Sequence, residues 1–151
     1  MNNLYFELAI ATFELPLPPG INASYEIGKS RKTGKARFVS TEELQKFKGD
    51  ASLLLKNQLQ LLDIAAMKAY TRTMEQIRGH GLFIFIDVLF FIEDILKRDV
   101  DGGLKAVQDV ICDAIGINDK YVLDAHPGKR QAHGNPRCEV SVYLAVQENA
   151  L

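Results

Sequence analysis

Apolar residues are spaced in three ways along this chain, and each spacing predicts a different element. LYFELAIATFEL (4–15) gathers aromatic and branched residues around small ones and predicts a strand. It stops at PLPPG (16–20), where three prolines and a glycine oppose both helix and ladder pairing. LFIFIDVLFFI (82–92) is apolar on both alternating faces apart from Asp87, which predicts a central strand covered on both sides. CEVSVYLAV (138–146) alternates, with Val140, Val142, Leu144 and Val146 on one face and Glu139, Ser141 and Tyr143 on the other. With YVLDAH (121–126) it reads as a pair of strands around the loop PGKRQAHGNPR.

Helical spacing begins after Ser40, which with Glu43 fits a capping box and predicts a helix from about Thr41. Leu44, Phe47, Leu54 and Leu55 supply a buried stripe that Gly49-Asp50 weakens locally. Helical character resumes through residues 53–77, as one helix or two, and ends at Gly79 and Gly81. Leu104, Val107, Ile111 and Ala114 or Ile115 predict an amphipathic helix of about three turns, capped by Gly116. Between PLPPG and the first helix lies INASYEIGKSRKTGKARF (21–38), a basic loop or hairpin with Thr33-Gly34 as its turn. The predicted order is β-(basic loop)-α-β-α-β-β, an α+β fold with helices packed on a mixed sheet. With no internal repeat or linker, residues 1–151 read as a single domain.

Composition adds limits. A chain of 151 residues, 47% hydrophobic and 25% charged, is long enough to bury a core and ordinary for a soluble protein. Its net charge of −1 neither announces nor excludes a polyanionic partner. Cys112 and Cys138 lack CxxC spacing and zinc-like histidine offsets, which favours a reduced, cytoplasmic setting. No basic region precedes the first apolar residues, so no signal peptide is expected. The most apolar run contains Asp87 and is far shorter than the ~20 residues a bilayer requires, so no membrane association is expected.

The candidate chemistry lies in KRDVDGGLKAVQDVICDAIGIND (97–119). It brings Asp99, Asp101 and Asp119 toward one helix although like charges raise each other's pKa. Singly, each acid has a structural reading: Asp101 as a helix N-cap, Asp99 serving the same dipole from further out, Asp119 beginning a turn. Lys105 is then an i, i+4 partner for Asp101, worth only ~0.2–0.5 kcal/mol. Together they have another reading. Carboxylates at a strand end and helix start, beside a lysine, suit divalent-metal phosphoryl transfer, in which Mg²⁺ takes oxygen ligands and shares its shell with phosphates.

The D-x-D-x-x-x-K arrangement, its helix and the closing Asn118-Asp119 strongly resemble the RusA family of Holliday junction resolvases. A second match lies upstream, where LPLPPGINASY (15–25) is similar to the family's Leu-Pro-x-Pro-Pro-x-x-Asn-x-x-Tyr opening. The resemblance spans roughly residues 13 to 147. It implies that Asp99, Asp101 and Asp119 bind metal and that Lys105 is catalytic. It also implies a homodimeric endonuclease of bacterial or phage type that uses Mg²⁺, with Mn²⁺ able to substitute. Such an enzyme places paired nicks in a four-way DNA junction and leaves 5′-phosphate and 3′-hydroxyl ends. There are departures from the family pattern. Gly102 stands where asparagine is usual, Asn118 replaces the first of two closing acids, the interval between the outer aspartates is slightly short, and the middle (56–79) is long.

For the DNA interface, Lys29, Arg31, Lys32, Lys35 and Arg37 are the expected phosphate contacts, since lysine and arginine release counterions from the backbone. Asn22 and Tyr25 are candidates for hydrogen bonding or stacking, or else fix the loop. Arg98, with Lys97, Lys129, Arg130 and Arg137, extends the patch. The plain reading of such a charge run is a solvated loop. His126 and His133 read as surface or structural histidines, and Cys112 as a small buried hydrophobe. Two other functions stay open: a non-catalytic junction-binding protein whose site has drifted, and a nuclease for other branched or flap DNA.

Overall fold

The computed structural model describes residues 4–20, 25–29, 32–80 and 83–147. Four strands build the main sheet: β1 (Leu4–Leu15), β4 (Phe83–Ile92), β5 (Val122–Gln131) and β6 (Arg137–Gln147), in the order β1-β6-β4-β5. A separate two-stranded sheet pairs β2 (Tyr25–Lys29) with β3 (Ala36–Ser40). Among the described residues three α-helices pack with these sheets: α1 (Glu42–Gln60), α2 (Ile64–His80) and α3 (Leu104–Ile115). The architecture is α+β with a mixed sheet: β6 runs antiparallel to both β1 and β4, whereas β4 and β5 are parallel.

That last pairing corrects the expectation that the two C-terminal strands pair with each other. Parallel neighbours need a crossover, and the segment carrying α3 provides it between β4 and β5. The stretch from Pro127 is not a loop, because β5 continues to Gln131 and Ala132 N–H still donates to Ile92 O at 2.8 Å. Residues 132–136 alone connect β5 to β6, which lies on the other side of β4.

β4 is central but not covered on both faces. Ile84, Ile86, Val88, Phe90 and Ile92 are buried in one cluster with Leu44, Phe47, Ala51 and Leu55 of α1, Met74 and Ile77 of α2, and Val107, Val110 and Ile111 of α3. Asp87, Leu89 and Phe91 point to the opposite face and stay partly exposed. Side chains of the neighbouring strands screen part of that face. His126 meets Phe85 edge-on at 4.7 Å, and the Arg137 guanidinium lies 3.9 Å over the Phe91 ring. On β6, Val140, Val142 and Leu144 are buried while Glu139, Ser141 and Tyr143 are only partly so, as their alternation requires.

The helices follow their apolar spacing with local differences. Ser40 ends β3 opposite Tyr25, so the cap falls to Thr41, whose hydroxyl accepts from Leu44 N–H at 3.3 Å. α1 passes Gly49 without a break, and its buried stripe is Leu44, Phe47, Ala51 and Leu55; Leu54 is turned about 100° from Leu55 and is 41% exposed. The long helical stretch is two helices, divided at residues 61–63, and α2 runs past Gly79 to His80. α3 ends as expected at Gly116, whose φ of 70° is left-handed, with Ile117 N–H closing on Cys112 O. Among the described residues, no helix is long and apolar enough to cross a membrane.

Phe90 is fully buried at the centre of the helix-covered face, so Phe90→Ala is expected to cost ~3–5 kcal/mol in denaturant unfolding. Burial pushes the Cys112 thiol up to about 11 and Cys138 to about 12. Unfolded thiols ionise near pH ~8.5, so the folded state keeps this preference for the protonated form below that pH and loses stability as pH rises above it. Native protein should resist iodoacetamide at pH 8 and react at both cysteines in denaturant; rapid native labelling would contradict the burial.

Candidate active site

The turn between β4 and α3 (residues 93–103) carries both expected acids of the D-x-D, and its geometry is imposed from outside. Its carbonyls have neither a ladder nor a helix to bond, and buried backbone groups require partners. β5 supplies them. Gln131 Nε2 donates to Glu93 O, and Lys129 Nζ donates to Ile95 O and Arg98 O, both at 2.8 Å. Arg98 then holds the turn from within, its Nε and Nη2 reaching Gly102 O at 3.1 and 2.8 Å while its guanidinium lies 5.5 Å from the Phe90 ring centre. Burial lowers the Arg98 pKa from its ordinary value. Lys129 and Arg98 were expected on a DNA-facing patch; in the structure both point their charges into the turn.

Gly103 ends that turn with φ of 94°, and a Cβ there would stand 2.6 Å from both Arg98 Nη2 and Pro18 Cγ. The proline-rich segment and the acidic turn, far apart in sequence, are therefore in direct contact. They also share a cleft of about 380 Å³ lined by Pro16, Pro18, Pro19, Phe47, Lys46 and Arg98.

Gly103, not Asp101, occupies the N-cap position of α3, with no side-chain cap bond. Asp101 instead uses its carbonyl, which accepts from Leu104 N–H at 3.1 Å, as Asp99 O does from Gly102 N–H. Both carboxylates are exposed, and neither makes a side-chain hydrogen bond or ion pair among the described residues. Asp119 lies beyond the other end of α3, opening the short 3₁₀ turn Asp119–Tyr121 that Asn118 caps through Lys120 N–H at 3.0 Å.

Lys105 does not pair with Asp101, since the helix on which an i, i+4 rule operates begins only at Leu104. Its Nζ lies 2.8 Å from Asp109 Oδ1 and 3.1 Å from Asp119 Oδ2. Hydrogen bonds to Asp109 first and Asp119 second raise the Lys105 pKa. Asp109, which also receives Lys48 Nζ of α1 at 3.4 Å, was missed in the sequence although it stands four residues past Lys105 inside the same stretch. Extending the i, i+4 rule toward the C-terminus would have found it.

As a donor set, three exposed carboxylates suit a hard divalent cation such as Mg²⁺. Among the described residues no three His, Cys, Asp or Glu side chains are grouped together, and Mg²⁺ itself takes only one or two protein carboxylates beside water and phosphate oxygens.

Of the expected DNA contacts, Lys32 and Lys35 are exposed in the turn joining β2 to β3, where Gly34 takes φ of 67°. Tyr25 and Lys29 lie on β2, and Arg37 on β3 opposite Gly28. The side chains of these three, and all of Asn22 and Arg31, lie outside the described residues. His126 lies 3.1 Å from Asp124 Oδ2 on the partly exposed sheet face, Arg137 binds Glu139 at 3.0 Å, and His133 is exposed.

No protein-family model matches this chain, and no curated protein is significantly similar to it.

If Lys129 holds the turn, Lys129→Met should speed amide exchange across residues 96–103 by about tenfold or more, the scale of losing charge-assisted bonds, with little change at β4. Uniform acceleration throughout the protein would instead make Lys129 a general stability contact.

Proposed function

We propose that this chain is a divalent-metal-dependent endonuclease that acts as a homodimer on four-way DNA junctions and cuts them by paired, symmetrical nicks. The observation that carries the proposal is the close approach of Pro18 to Gly103, beside a cleft that Pro18 lines together with Arg98. It unites the two separated stretches that resemble the RusA family, so the resemblance concerns one locality of the fold and not two unrelated ones.

The acids assigned to Mg²⁺ are Asp99, Asp101 and Asp119. When bound, Mg²⁺ supplies neutralisation of phosphate charge and a water of lowered pKa. Lys105 is assigned to the negative charge that develops on the phosphate oxygens, a task for a compact ammonium held near the acids. Arg98, Lys129 and Gln131 keep the Asp99–Asp101 turn in place. Lys32 and Lys35, with Lys29, Arg31 and Arg37 of the same basic segment, are assigned to the DNA backbone, and Asn22 and Tyr25 to the junction itself. A two-fold dimer matches the near two-fold symmetry of a four-way junction and gives one cut per subunit. Residues 56–79, which hold the end of α1 and most of α2, lie outside this assignment.

A second reading, a junction-binding protein without cleavage, is favoured by one observation: Lys105 already occupies Asp119 at 3.1 Å.

Cleavage of a synthetic four-way junction beside matched linear duplex, with Mg²⁺ and with EDTA, separates the two. We expect Mg²⁺-dependent paired nicks at the crossover, reduced by more than about 100-fold in Asp101→Asn while junction binding persists. Tight junction binding with no cleavage in Mg²⁺ or Mn²⁺ would establish the binding protein, and single cuts at flaps would establish a different branched substrate.

A further inference from the structure

Asp119 is taken by an ammonium, Lys105 Nζ at 3.1 Å, and that ammonium has a second carboxylate already in hand, Asp109 at 2.8 Å. Asp109 lies one helical turn past Lys105, so both occupy the same stripe of α3. It is the less exposed of the two acids, 29% against 48% for Asp119, and Lys48 of α1 holds it from another element at 3.4 Å.

From this geometry we propose that Lys105 is a tethered competitor for the Asp119 carboxylate, and that Asp109 is the positioning residue that takes Lys105 over when Asp119 turns to a divalent cation. The inference rests on the assignment of Asp119 to metal in the proposed function. Asp109 itself does not bind the metal. A divalent cation beside Asp119 repels the ammonium, and without Asp109 the lysine would have either to remain on Asp119 or to lose its carboxylate partner. With Asp109 in place, Lys105 shifts from two carboxylates to one and stays on the face of α3 next to the metal acids. Lys48 keeps Asp109 anchored to α1, so the receiving carboxylate does not follow the lysine.

The test is direct Mn²⁺ binding to the full chain, read as free Mn²⁺ by electron paramagnetic resonance, so that no cleavage is required. Wild type is compared with Lys105→Met, Asp109→Asn, the double variant and Lys48→Met, with circular dichroism to verify folding. We expect Lys105→Met to tighten Mn²⁺ binding by about two- to fivefold, the scale of one exposed ion pair, and Asp109→Asn to weaken it by a similar factor. The double variant should match Lys105→Met, because Asp109 acts only through the lysine. Lys48→Met removes an equal charge without touching Asp119 and should change the affinity less than about twofold.

The proposal is overturned if Asp109→Asn weakens binding as much in the Lys105→Met background as in wild type, since Asp109 then acts by its own charge. It is also overturned if Lys48→Met tightens binding as Lys105→Met does. In either case wild type still binds Mn²⁺ and the metal assignment stands. A wild-type chain that binds no Mn²⁺ removes the metal assignment and this inference together.

Discussion

A turn with unpaired carbonyls has to find donors, and that requirement organises the candidate site. Between β4 and α3 the chain leaves the ladder before it enters the helix, and the carbonyls of Glu93, Ile95, Arg98 and Gly102 are satisfied by side chains of Gln131, Lys129 and Arg98. Two of these donors are cations. Charge-assisted bonds to backbone are among the stronger hydrogen bonds available, so the acidic turn is held by the parallel strand beside it. The parallel pairing of β5 with β4 is therefore a precondition of the site. It brings residues 129 and 131 alongside the end of β4, where the turn begins.

Charge makes the same point along the first half of α3. Grouped aspartates need a positive group, and the structure provides one from within the chain. Lys105 lies between Asp109 and Asp119, and Lys48 reaches Asp109 from α1. The helix thereby links the acidic region to α1. Asp99 and Asp101, by contrast, keep exposed carboxylates while their carbonyls build the turn. The division of labour is clear in physical terms: backbone and half-buried cations set the position of the turn, and the exposed acids remain available for other partners.

Much of the fold was legible in the chain because it depends on local rules. The extent of β1, the start of α1 to within a residue, the stripe of α3 and the left-handed glycine at 116 all follow from spacing, capping and glycine's tolerance of positive φ. The readings that failed depended on what lies across space. The 82–92 run suggested two covered faces, because sequence does not distinguish a face packed under helices from one screened by His126 and Arg137. Likewise Asp101 looked like a cap, yet the position belongs to Gly103, which is wedged between Arg98 and Pro18 where no Cβ fits.

The sequence by itself determined most of the elements, the buried stripe of α3, and the residue types available for chemistry: three acids and a lysine around one helix, and a basic hairpin after a proline-rich segment. Only the tertiary structure decided which of these meet. It joined Pro18 to Gly103, turned Arg98 and Lys129 inward, and gave Lys105 to Asp109 and Asp119 instead of Asp101. The reason is one of range. Capping, periodicity and turn preference act over a few residues, whereas the partner of a charge is set by which strands and helices pack side by side, and that packing depends on the whole chain at once.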